Sequence, residues 1–290
     1  MKKPLLVTVA LLLFGLAPGP GGARAAESYD NCSGFITSLP AVVSSQGVWC
    51  LRKDLSTGIG SGNAITIATN NVTIDCNGFR VGGLAAGPAS TARGIQAQGR
   101  SNLSVRHCNI RGFRVAIEFD GGAGHLVEHN RLDSNLYAGI DITESARNVT
   151  VRNNSIYDTG GAPGLVRVIA ISGYNGTVEG NTVSGVYSNT PSTLSLGPMG
   201  IFWRGHGSVI RDNHVSNLDS ANGNNLVAGI ITTGGSIVIE DNVVLAGAPG
   251  VGYGLLGNVD AYDAATFCRN NTTSGFSFPV AGCDIAAGNH

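Results

Sequence analysis

Two short patterns alternate along this chain without exception, and they constrain its fold more than any other feature. One is a β-branched run closing on Asn: Val127 to Asn130, Val151 to Asn154, Val178 to Asn181, Val209 to Asn213 and Ile239 to Asn242. Asn77 and Asn271 extend that column, and Cys108 takes the Asn place in the coil between Asn77 and Asn130. The other pairs a small residue with an aliphatic one: Gly94-Ile95, Ala116-Ile117, Gly139-Ile140, Ala170-Ile171, Gly200-Ile201, Gly229-Ile230 and Gly254-Leu255. Each run is too short for an ordinary helix and is rich in Val, Ile and Thr, so it reads as strand. A repeat of this length cannot bury its apolar face alone. Stacking coil on coil gives every strand a parallel neighbour about 4.8 Å away and a shared core. Asn suits the turn, because it tolerates a left-handed backbone and its amide can bond the next Asn in the stack.

Segments such as Asn71-Val72-Thr73-Ile74-Asp75-Cys76-Asn77-Gly78-Phe79 and Val149-Thr150-Val151-Arg152-Asn153-Asn154-Ser155-Ile156 resemble coils of the right-handed parallel β-helix group, the pectin-lyase-like superfamily. The resemblance runs over residues 60 to 275 and implies an all-β, single-stranded right-handed solenoid of about eight coils. It is specific for fold and not for reaction, since such a fold hosts many activities. A third column supports the alignment. Two residues before each Asn place stand Asp75, Arg106, Glu128, Arg152, Glu179, Arg211, Glu240 and Arg269, alternating in sign at every coil. Stacked strands would turn them into a ladder of opposite charges that favours correct register. The four arginines thereby take a structural role.

The ends are off-pattern. Lys2, Lys3, an apolar run from Leu5 to Leu16 and Ala23-Arg24-Ala25 form an expected signal peptide over 1–25. Its apolar run is too short to span a bilayer, and no later segment could. Residues 26–60 read as an N-terminal cap, 61–259 as the β-helix, and 260–290 as the last coil with a C-terminal cap. The leader takes Lys2, Lys3 and Arg24 from the 18 basic side chains, leaving 15 against 19 acidic ones. With no basic cluster, that balance excludes nucleic acid as a partner. Six cysteines in an exported chain read as three disulfides, and their clustering suggests Cys32 with Cys50, Cys76 with Cys108, and Cys268 with Cys283. Metal binding is the rival reading, and no Cys-x-x-Cys supports it. The expected product is a monomer in the periplasm or secreted medium.

Strands alternate inward and outward, so the residue after each inward aliphatic faces solvent. That column reads Gln96, Glu118, Asp141, Ser172, Phe202, Ile231 and Leu256, and two residues further lie Gln98, Asp120, Thr143, Tyr174, Arg204, Thr233 and Asn258. Loops near 157–167, 185–198 and 217–227 precede this face and would wall it into a groove suited to a sugar chain. Glu118 and Asp141 on successive coils are candidates for a catalytic pair, one as acid and the other as base or nucleophile. With Asp120 they could instead hold calcium, which prefers several carboxylate oxygens. Asp120, Tyr174 and Trp203 are candidate substrate contacts.

Trp203-Arg204-Gly205-His206-Gly207 is the most unusual local cluster. Its Gly-His-Gly is similar to that of the superfamily's polygalacturonase-type hydrolases, which would make His206 catalytic. The family's Asp-Asp pair and Arg-x-Lys are absent, which counts against hydrolysis of that type. The superfamily's lyases imply a Lys or Arg base, often with calcium. Lys53, the sole lysine past the leader, is near the N-terminal cap, so Arg204 is the candidate. His125-Leu126-Val127-Glu128-His129 matches an inverted zinc-protease pattern, but that pattern needs a helix and this stretch belongs to a strand. The expected function is therefore a polysaccharide lyase or glycoside hydrolase, with a non-catalytic glycan-binding or structural repeat protein as the alternative.

Overall fold

The computed structural model describes residues 29–162, 165–188, 196–220, 226–247, 252–259 and 265–290; the expected signal peptide lies outside them. The described residues form three parallel sheets of eleven, nine and ten strands. Each coil visits them in the same order. Leu126–Glu128 joins the eleven-stranded sheet, Arg131–Asp133 the nine-stranded one and Ala138–Arg147 the ten-stranded one, after which the chain returns to the first sheet at Thr150–Arg152. We call these the ladder, back and groove sheets. The back sheet takes one strand from each full coil, so the described residues make nine full coils, close to the number the repeat implies. The first runs over Gly47–Cys50, Leu55–Ser56 and Asn63–Ile67, beginning inside the segment read as a cap.

The inward residues of the three sheets meet along the axis as one core. In the ladder sheet Val105, Val127, Val151, Val178, Ile210 and Ile239 are all fully buried and pair in unbroken register. Burying such a side chain is worth about 1.5–3 kcal/mol. The small residue before each groove-sheet aliphatic has a packing cause. A Cβ on Gly139, Gly200 or Gly229 would lie 2.8, 2.4 or 2.1 Å from a methyl of Ile156, Val215 or Val244. The back-sheet aliphatic of the following coil therefore occupies the space a larger side chain would need.

The charge column pairs as expected. Asp75, Arg106, Glu128, Arg152, Glu179, Arg211, Glu240 and Arg269 are Cα partners in sequence order. Each arginine closes on the acid of the preceding coil: Arg106 on Asp75 at 2.8 Å, Arg152 on Glu128 at 2.7 Å, Arg211 on Glu179 at 2.6 Å and Arg269 on Glu240 at 2.5 Å.

The asparagine column is a buried amide ladder. The Asn130, Asn154, Asn181, Asn213, Asn242 and Asn271 amides each donate to the Oδ1 of the next member, ending on Asn289, at 2.9–3.0 Å. Two details differ from the expectation. The left-handed residue is the one before each Asn, as at His129, Asn153, Asp212, Asp241 and Asn270, because the ladder Asn must turn its amide inward. Asn77 is outside the ladder: it is itself left-handed and its amide reaches the Leu51 carbonyl instead.

The three cysteine pairs are disulfides: Cys32–Cys50, Cys76–Cys108 and Cys268–Cys283. The expected walls begin not as loops but as the long back-sheet strands Ser155–Gly160, Thr182–Ser188 and His214–Ser220, and parts of the connections that follow lie outside the described residues. No described helix is long and apolar enough to cross a membrane.

Candidate active site on the groove sheet

The groove sheet carries two groupings of polar side chains that the sequence alignment merges. The first is acidic. Glu118 pairs with Gln96 on one side and Asp141 on the other, and Asp120 pairs with Gln98 and Thr143. Glu118 is only 7% exposed and accepts a hydrogen bond from Arg93 Nε. Burial raises its pKa against the opposing pull of Arg93. Asp141 is pushed up to about 6, by burial first and then by the charge of Glu118. Asp120 accepts from the Thr143 hydroxyl at 2.7 Å and from Gln96 at 3.4 Å. Among the described residues no three His, Cys, Asp or Glu side chains converge as metal ligands, so Glu118, Asp120 and Asp141 do not gather into a calcium site. The His125–His129 pattern forms none either: His125 is buried with Nε2 on the Gly121 carbonyl, and His129 stacks on His107.

Beyond Asp141 the register departs from the sequence alignment by two residues. Asp141 pairs with Ala170, and Ser172 with Arg204, so Ser172 does not continue the Glu118 column and Tyr174 does not stand beside Arg204. Tyr174 pairs with His206 instead. The cause is Val168-Ile169-Ala170-Ile171, where two inward aliphatics are both plausible partners for Ile140 and a slip of two keeps every face unchanged. Trp203 is also corrected. It pairs with Ile171 and Thr232, is 0% exposed, and points into the core, so it offers no surface to a ligand. The alternation that turns Phe202 and Arg204 outward already required this.

The second grouping is a cleft of about 440 Å³ lined by Glu144, Ser172, Tyr174, Arg204, His206 and Thr233 among others. The rings of Tyr174 and His206 stack 6.0 Å apart at 16° on adjacent coils, and Arg147 lies 5.8 Å over Tyr174. His206 Nδ1 accepts the Gly235 backbone N–H at 3.1 Å. In the neutral ring this leaves the proton on Nε2.

Sequence reasoning misses Glu144. It belongs to a bulge in Ala138–Arg147: Ile142 pairs with Ile171 and Ala146 with Gly173, so Thr143, Glu144 and Ser145 oppose Ser172 alone. Glu144 and Ser145 have φ of 56° and 60°. Every other non-glycine residue with positive φ among the described residues is Asn, Asp, His or Ser, and no other two are adjacent. A Glu in this region has no short side chain to bond its own backbone, and such residues cost on the order of 1–3 kcal/mol. One sequence signal exists: Ile140 to Val151 is two residues longer than Ile169 to Val178.

The model of the family described as "Right handed beta helix region" matches residues 55–197 and 93–289. No curated protein matches the sequence significantly. Among solved structures, the Dettilon tailspike protein is 15% identical over 88% of this chain and 59% of its own, with a TM-score of 0.48. The chain thus spans somewhat over half of that protein. The periplasmic alginate epimerase AlgG D317A mutant is 15% identical over 86% of this chain and 75% of its own, at 0.48. The alginate lyase from Paenibacillus sp. str. FPU-7 is 12% identical over 85% and 97%, at 0.39.

Proposed function

From the premise that the chain belongs to the right-handed β-helix family, we propose that it binds and cleaves an acidic polysaccharide laid along the groove sheet. The observation that carries this reading is the cleft, which gathers a guanidinium, a phenol, an imidazole, a carboxylate and three hydroxyls at one point of a parallel sheet. Arg204 is exposed there between Ser172 and Thr233. Its planar fork suits a sugar carboxylate, and such pairing acidifies the adjacent C–H. The matching reaction is β-elimination. A base takes the proton from the carbon bearing the carboxylate, the C–H electrons form a C=C bond, the glycosidic C–O bond at the neighbouring carbon breaks, and the leaving oxygen takes a proton. No oxidant or second substrate is required.

A second reading is hydrolysis, favoured by Asp141. A carboxyl lifted to about 6 beside another carboxylate has the character of a general acid. The two differ in product. Elimination leaves an unsaturated sugar end, and hydrolysis leaves only saturated ends. Incubating the purified chain with polyuronates and analysing the ends decides between them. Loss of turnover in Arg204→Ala supports elimination, and loss in Asp141→Asn supports hydrolysis. Retention on the polysaccharide without product makes the protein a binding module, and neither retention nor product overturns the reading.

A further inference from the structure

We infer that Glu144 is the proton-accepting residue of the cleft, an inference that rests on the elimination reading above. The other candidates are unsuited. Arg204 is committed to the sugar carboxylate in this reading, through the donor-only fork of its guanidinium. His206 uses Nδ1 to accept from Gly235, so its neutral ring carries hydrogen on Nε2 and is a donor there. Glu118 is closed on Arg93, and neither Glu118 nor Asp141 lines the cleft. Glu144 is the one carboxylate among the described lining residues.

The backbone supplies the second argument. Three residues oppose one, and two successive non-glycine residues hold left-handed conformations at the cleft and nowhere else among the described residues. Without the bulge, this strand would cross the face with the alternation of its neighbours. With it, an exposed carboxylate is carried to the wall that Tyr174, Arg204 and His206 share. Bulges recur beside active sites because they re-aim a side chain, and backbone strain clusters where a geometry is held for use.

The Glu144 carboxylate accepts the proton from the carbon beside the sugar carboxylate held on Arg204. The freed pair forms the C=C bond and expels the glycosidic oxygen. That oxygen takes its proton from the Tyr174 hydroxyl, which is reprotonated from solvent.

The test is steady-state turnover of a polyuronate by the full chain and two variants, with melting curves alongside. Glu144→Gln is expected to lower kcat by about 100-fold or more with KM within about threefold. Glu144→Asp, which keeps the charge and withdraws it by one methylene, should fall between Gln and wild type. Glu144 is exposed, so melting should stay unchanged. A wild-type chain that forms unsaturated ends while Glu144→Gln keeps kcat within threefold overturns this inference and leaves the functional reading standing. If the Gln variant fails to fold, an Asp variant with wild-type kcat overturns it equally. A wild-type chain that forms no unsaturated ends removes the functional reading and this inference together.

Discussion

Gly235 donates its backbone N–H to His206 Nδ1 at 3.1 Å, and that bond decides which ring nitrogen holds the proton. The Gly-His-Gly motif alone is silent on this point. A glycine on the next coil, 29 residues away, settles it. Nitrogen-detected NMR of the histidine rings at pH 8 should show His206 as the Nε2–H tautomer. A ring protonated on Nδ1 would contradict the assignment. His206→Ala removes that hydrogen-bond donor from the cleft and should lower turnover by about 100–1,000-fold.

Asp141 makes stability depend on pH. Its folded pKa of about 6 exceeds its ordinary 3.8, so between those values the folded chain holds a proton that the unfolded chain releases. Stability therefore falls as pH rises from about 4 to 6, and Glu118, also raised, adds in the same direction. Asp141→Asn should flatten the dependence and stabilise the chain at pH 8 by about 1–3 kcal/mol. Thermal unfolding of both proteins from pH 4 to 8 is the measurement. A variant that melts lower at pH 8 would contradict the prediction.

Asn181 sits mid-ladder. Its amide donates to Val151, Glu179 and Asn213, and its Oδ1 accepts from both nitrogens of Asn154. Asn181→Ala strands these buried partners and should cost about 2–4 kcal/mol in urea unfolding. Asn181→Asp should cost more, because it places a carboxylate oxygen against Asn213 Oδ1. Equal stability of Asp and Asn would show that amide direction is unimportant.

Cys76–Cys108 joins successive coils across 32 residues. Replacing both with Ala should remove about 3–4 kcal/mol of stability through the freed unfolded chain. Denaturant midpoints for the variant and wild type, both in the absence of reductant, measure it.

The charge ladder tests register. Glu179→Arg places three arginines in line with Arg152 and Arg211 on either side. It should cost about 1 kcal/mol, with the loss shrinking at about 1 M salt. A salt-independent loss would point to packing instead.

The repeat made most of the fold legible. Strand identity, the inward aliphatics, the charge column and the cysteine pairings all follow from chemistry that recurs one coil apart, where a residue's neighbour in space is its counterpart in the next repeat. Even Trp203's place inside was implied by the alternation, although its aromatic ring suggested a ligand contact. What the repeat could not settle was where it breaks. A slip of two residues at 168–171 preserves both faces, so only packing against Ile140 and Ile201 selects Ile169 over Ile171. Two additional residues between Ile140 and Val151 could have been absorbed in any turn, and the stacked coils place them at Glu144 and Ser145. The sequence alone thus determined a parallel β-helix and the face on which chemistry could occur. The tertiary structure alone divided that face, separating Glu118 and Asp141 from the cleft of Tyr174, Arg204 and His206, because register between coils is a property of contacts that no single coil contains.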